Sequence, residues 1–467
     1  MSWRASVAGA SAVLVAAAAV LVVDAQHPTP ATPKARSEQR PVTSATLSCP
    51  GAAAGAGAQT AVFAVGPGGP RPASGGSRLR LADSTSSLAA TADVGVPLVA
   101  RLDDGAGRSG VRVTARGALA PGVAAAQLSS YTARTAAGIA ASWCLSPRDE
   151  WWFSGVDTSV GTTTGLVLSN PSRAVAVVDL HILGATGPVD AAGANGIAVA
   201  PRSRVLLDLA RYAPGRAAIT LHVAATRGTV AAAVSTTRLD GITPVGAEWL
   251  PSSAAPATSV VVGAGAAGLG RQSLVVTNTG TRQQLVTVRI LDADGAFTST
   301  ALPGLQVPPE SVVVEDVSAI LQRQSTAVQL SAHGPVTGSL VSEQVDSPHD
   351  YAVSTTSAPL STPAVVPDVQ QTELTLAFAT ASPAPERVEI RGVGPSGRRT
   401  GAETLVVSGT STTAWAPPPA WEAAYLLVIV RPGSDVQAVA SYRGERGVAQ
   451  LPVLSGRLTV TRPAVLP

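Results

Sequence analysis

Few residues in this chain could begin any chemistry, and the densest group is aromatic. Among only 7 Trp, 5 Tyr and 4 Phe, four rings fall within Trp143-Cys144-Leu-Ser-Pro-Arg148-Asp-Glu-Trp151-Trp152-Phe153. Exposed indole faces flanked by Arg148, Asp149 and Glu150 could stack on a sugar and bond its hydroxyls. Trp143, Arg148, Trp151, Trp152 and Phe153 are therefore the candidate ligand contacts. The competing expectation is burial, the natural use of large rings in a chain that is 3% aromatic. Trp415 and Trp421, around Pro417-Pro-Pro419, pose the same choice.

The remaining polar residues offer less. His181 and His222 alternate with apolar neighbours, which turns them to a sheet face opposite the core. His349-Asp350 follows Pro348 and reads as a loop pair. Asp103-Asp104 and Asp149-Glu150 are adjacent, so on a strand their side chains diverge and cannot face each other across a cleft. Asp292, Asp294 and Gly295 lack the other ligands of a calcium loop. Gly263-Ala-Gly-Ala-Ala-Gly268 mimics a dinucleotide fingerprint, but a strand rather than a helix follows at Leu274, so it reads as a flexible loop. Nucleophile-elbow, zinc-protease and phosphate-loop motifs are missing from the sequence. The expectation is no catalytic residue, no metal ligand, no cofactor and no enzyme activity. Cys49 and Cys144 read as a disulfide, because neither has the clustered ligands of a metal site. Closing a loop of about 100 residues contributes about 4–5 kcal/mol in the chain-entropy model.

The elements that must position these residues are short strands. The 467 residues include 45 Gly and 36 Pro but only 13% charged residues, which suits neither a disordered chain nor a coiled coil. With 33 basic against 30 acidic residues, the balance excludes a nucleic-acid partner. Ala5 to Val23 carries no charge and follows Arg4. As a helix it approaches the roughly 30 Å of a bilayer core, so residues 1–25 are expected to anchor the chain in the membrane. Cleavage as a signal peptide near Val23-Asp24-Ala25 is the alternative, giving a secreted protein. Residues 26–44, rich in Pro, read as a linker.

Beyond it the chain repeats itself. Leu166-Val-Leu-Ser-Asn170-Pro171 matches Leu274-Val-Val-Thr-Asn278-Thr279, and in the same register Val199, Pro201, Ser203 and Asp208 match Val307, Pro309, Ser311 and Asp316. Gly228-Thr-Val230 then falls on Gly334-Pro-Val336, and a weaker copy begins at Leu374. Val178, Leu180 and Ile182 alternate with Asp179, His181 and Leu183, as a half-buried strand requires. Six or seven strands in about 100 residues predict an all-β chain of tandem immunoglobulin-like sandwiches, with a β-propeller as the alternative. The expected boundaries are 45–147 for a degenerate first copy holding the disulfide, then 148–250, 251–362 and 363–467. Asp208–Tyr212 and Asp316–Leu321 are expected to form short helical turns.

The Cys144-x4-Asp/Glu-Trp-Trp-Phe junction, followed by Gly165-Leu-Val-Leu-Ser-Asn-Pro171 and Val199-x-Pro-x-Ser203, resembles an actinobacterial exported family catalogued as domain of unknown function 5719. The resemblance implies an envelope-associated protein and assigns no activity or site residue. Three functional expectations follow. The first is a non-catalytic, membrane-anchored extracytoplasmic scaffold or interaction protein of the cell envelope, with a protein partner. The second is a glycan-binding module using the Trp-rich junction; the third is an envelope enzyme with a site assembled from distant residues.

Overall fold

A computed structural model describes residues 38–51, 58–69, 76–83, 86–102, 110–368 and 372–462. The expected membrane helix, Asp103-Asp104 and most of the linker lie outside these residues. Among the described residues no helix is long and apolar enough to cross a membrane. Strands take up 60% of the chain and helices 3%, and none of the sheets closes on itself. Residues 41–459 form one compact unit. The short strands Glu38–Pro41 and Thr459–Arg462 pair as a separate ribbon.

Within the compact unit one strand order recurs four times, over residues 44–143, 150–250, 257–355 and 364–452. Numbering the strands of each stretch from one to eight, one sheet runs 1-6-3-4 and the other 5-2-7-8. In the last stretch these are Ala364–Pro367 beside Tyr425–Val430, Glu386–Val393 and Arg399–Val407, then Thr412–Trp415 beside Glu373–Thr380, Val436–Gly444 and Gly447–Pro452. A propeller blade takes consecutive strands, so the order here is of another kind. It also departs from the immunoglobulin sheets ABED and CFG, because strand one lies beside six and strand seven beside two. Eight strand positions form where six or seven strands were expected, counting the two short pieces of the fourth strand as one in the second and third stretches and the long strand Ala327–Gln344 as positions six and seven of the third.

The third stretch fuses its two sheets. Ala327–Gln344 runs unbroken for 18 residues, pairing first with Gln284–Leu291 and then with Arg271–Asn278. The matching positions in the second stretch are two strands, Ile219–Arg227 and Ala231–Asp240, separated at Gly228, whose φ is +73°. Pro335 follows Gly334 in the third stretch and keeps the backbone extended.

The repeated motif residues carry the fold. Asn170 Nδ2 donates to the carbonyls of Ala174 and Val199 while its Oδ1 accepts from Ser172 N. Asn278 repeats the arrangement with Arg282, Val307 and Gly280. Asp208 caps the turn Leu209–Arg211 by accepting from Ala210 N, and Asp316 accepts from Ser318 N at the start of helix Ser318–Leu321. Val178, Leu180 and Ile182 enter a core with Leu166, Leu168 and Val234 of the facing sheet. Leu183, placed with the outward residues by simple alternation, is also buried. The segment Gly263–Gly268 is a loop, as expected, and its first four residues are buried. A side chain at Gly263 would strike Val439, so this glycine allows close approach between the third and fourth stretches, and one at Gly265 would strike Leu340 within the third.

The stretches close a cycle through their eighth strands, Ala136–Trp143, Thr243–Leu250, Asp350–Thr355 and Gly447–Pro452. The first adjoins the second, the second the third, the third the fourth, and the fourth the first. Apolar clusters span the successive junctions: one holds Tyr131 and Trp249, one Trp151, Val275 and Val341, one Ala264 and Ala377, and one Trp143 and Leu451. Ala136, Ala140, Ala141, Ala247, Ala352 and Ala449 are buried in these four inner strands, where small side chains let four backbones converge.

Candidate functional site

The Trp-rich junction divides by strand alternation. Trp151 and Phe153 point into the second stretch's core, and Trp151 Nε1 donates to the Val230 carbonyl at 2.8 Å. Trp143 is buried between the first and fourth stretches, donating from Nε1 to the Pro452 carbonyl at 2.7 Å. Cys49 and Cys144 are joined as a disulfide, both buried. Arg148 is exposed and holds its guanidinium over Trp151 at 5.1 Å.

Trp152 faces the other way. Register across three strands aligns it with His222 and then His181. Its indole stacks on the His222 imidazole with centroids 3.9 Å apart and planes 7° off parallel, and His181 follows at 5.4 Å. Glu150 Oε1 accepts from Trp152 Nε1 at 2.7 Å and lies 3.0 Å from His222 Nε2. Burial holds His222 below the usual imidazole range, against the pull of Glu150 and with His181 adding to the lowering. This is the one stack of the junction on the outer sheet face, and one face of its indole is already covered by the chain's own histidine.

A cleft of about 950 Å³ lies between the first and fourth stretches. Val99, Phe63, Arg101 and Leu128 share one sheet face and supply its floor. Asp368, Glu422 and the segment Pro417–Pro419 supply the wall. Burial raises the Asp368 carboxyl. The half-buried rings of Trp415 and Trp421 lie 5.6 Å apart beside this wall, and Trp421 covers Gly392 and Gly401.

The most deeply buried ionisable groups lie among the inner strands. His349 is exposed but the adjoining Asp350 is 1% exposed, so the expected loop pair is split between solvent and core. Asp350 Oδ2 accepts from Val448 N at 2.9 Å and Ile139 N at 3.2 Å, and the amides of Ala247 and Tyr351 also favour its ionised form. Glu248, also 1% exposed, accepts from Trp249 N at 2.9 Å, with the amides of Ala141 and Gln450 favouring its ionised form. Burial pushes both carboxyls well above the usual range, and Asp350 raises Glu248 further. Arg238 stands beyond Tyr351, its guanidinium 4.0 Å from the ring centroid, and pairs with Glu343 at 2.9 Å and Asp157 at 3.5 Å. Among the described residues no group of three or more His, Cys, Asp or Glu could hold a metal ion.

Sequence reasoning had no reason to single out Glu248 or the cleft. A signal existed for Asp350: Gly138, Gly246 and Gly447 occupy its place in the other hairpins, opposite Tyr131, Arg238 and Gly444 where Asp350 is opposite Gln344. The Asp292–Gly295 segment is a turn, in which Asp292 Oδ1 accepts from Asp294 N and Gly295 N.

Fold and site together define an all-β protein of recurring paired sheets whose buried acids face backbone amides. The chain belongs to the family of unknown function DUF5719, whose model matches residues 99–418. No curated protein matches it. Among solved structures, the alpha-L-rhamnosidase of Streptomyces avermitilis, complexed with L-rhamnose, is matched at 10% identity with a TM-score of 0.13. The match covers 91% of this chain and 57% of that one, and at this score it carries no argument.

Proposed function

We propose that the protein is a non-catalytic, membrane-anchored scaffold or interaction protein on the outer side of the cell envelope, built of four tandem β-sandwiches. One observation carries the reading: the buried acids Asp350 and Glu248 engage backbone amides of the inner strands, while the cleft between the first and fourth stretches has a largely apolar floor crossed by Arg101, with Asp368 and Glu422 on its wall and no histidine among its described lining residues. The disulfide supports an oxidising compartment, and the uncharged run Ala5 to Val23 supports the anchor. The cleft is the partner surface in this reading. Its floor residue Val99 is 59% exposed, which makes it accessible to a protein segment.

A photo-crosslinker placed at Val99 in the full-length protein, in intact membranes, is expected to capture a discrete protein adduct. The same probe at Val160, which is fully exposed away from the cleft, is expected to capture none. Equal labelling at both positions, or none at Val99, would count against the proposal. Fractionation should place the intact chain with membranes; recovery of a soluble, shortened chain would replace the anchor with a cleaved signal.

A further inference from the structure

Four backbone amides hold equivalent places in the four inner strands: those of Ile139, Ala247, Tyr351 and Val448. Those of Ile139 and Val448 donate to Asp350 Oδ2 at 3.2 and 2.9 Å, and those of Ala247 and Tyr351 also favour the ionised form of this carboxyl. The residue before each amide is Gly138, Gly246, Asp350 and Gly447 in turn. At the three glycines φ is 119°, 138° and 146°, a region closed to most side chains. A Cβ at Gly138 would lie 2.6 Å from Asp350 Oδ1, one at Gly246 would lie 2.9 Å from it, and one at Gly447 would overlap Oδ2. The three glycines thus leave room for the single carboxylate that the fourth hairpin sends in.

Converging backbone N–H groups are an anion-binding arrangement, whereas a cation would be met by donors on every side. One step along the same strands, Glu248 accepts from Trp249 N at 2.9 Å, with the amides of Ala141 and Gln450 also favouring its ionised form. Asp350 Oδ1 and Glu248 Oε2 are the carboxylate oxygens there without a hydrogen-bond partner. We propose that the junction of the four inner strands is an anion cage with Asp350 as its built-in ligand, so that removing this side chain creates a site for a free small carboxylate.

The test uses the full chain carrying Asp350→Gly, which gives all four hairpins the same residue, and formate as the probe. Its melting temperature is expected to fall by several degrees or more relative to wild type. Formate is expected to restore it in a saturable manner while leaving wild type unmoved at the same ionic strength. A variant as stable as wild type, or a formate effect equal in both proteins, overturns the proposal. If Asp350→Gly does not accumulate folded, it is refolded from urea with and without formate. A higher folded yield with formate supports the cage, and equal yields overturn it. Asp350→Asn keeps the shape but turns an amide donor toward the ring, so it is expected to destabilise and to gain nothing from formate; wild-type stability in this variant also overturns the proposal.

Discussion

At the junction, Trp143, Trp151 and Phe153 give their rings to the core and leave only Trp152 outside, stacked on His222. Among the inner strands, alanine and glycine surround Asp350 and Glu248, two acids with almost no access to water. The first region stands out in the sequence because its residues are rare and large, and its work is packing. The second is built from small, common residues, yet it holds two carboxyls pushed well above their usual range. Rarity of residue type marks where volume is needed; it does not mark where charge is managed.

The comparison can be pressed hardest at the disulfide. Replacing Cys49 and Cys144 with Ala should cost about 4–5 kcal/mol by the loop-entropy estimate, read by urea unfolding. A loss under about 1 kcal/mol would show that the first stretch is held by its neighbours instead. Trp151→Ala removes a buried ring and the bond to Val230, and should cost about 3–5 kcal/mol in the same assay. A near-neutral result would reopen the junction as a surface.

The inner strands predict a pH effect with a definite sign. The folded-state pKa of Glu248 lies above its unfolded value, so its contribution is fully present below about pH 4 and is lost as pH rises through the folded value. Asp350 shifts the same way. Wild-type melting temperature should therefore decline as pH is raised from 5 to 8 on account of this pair, and Glu248→Gln should flatten the decline. Parallel curves for the two proteins would remove Glu248 from the account. The smallest expected effect belongs to the outer stack: Trp152→Ala should cost about 1 kcal/mol or less. A loss like that of Trp151→Ala would erase the contrast between the two sides of the strand.

Much of the fold was legible because it rests on period and repetition. The alternation of Val178, Leu180 and Ile182, the Asn170 and Asn278 turns and the short helical turns after Asp208 and Asp316 all recur in the structure where the pattern put them. The strand order was not legible, since neither periodicity nor turn residues say that strand one lies beside six. The unbroken strand Ala327–Gln344 hid behind Gly334-Pro335, residues that normally end a strand. The candidate sites were less legible still. The cleft joins residues as far apart as Phe63 and Tyr442, and Asp350 was masked by its exposed neighbour His349.

The closed cycle has a consequence for the order of events as the chain is made. Trp143 finds its carbonyl acceptor 309 residues later, at Pro452, and the amide of Ile139 waits 211 residues for Asp350. Contacts of such long range form slowly, and until they do the inner edge of the first stretch is an unfilled row of donors. Synthesis of the last stretch is therefore the step that completes the first. A chain that stops short of Gly447 would expose the edge that has the most to gain from pairing with another copy.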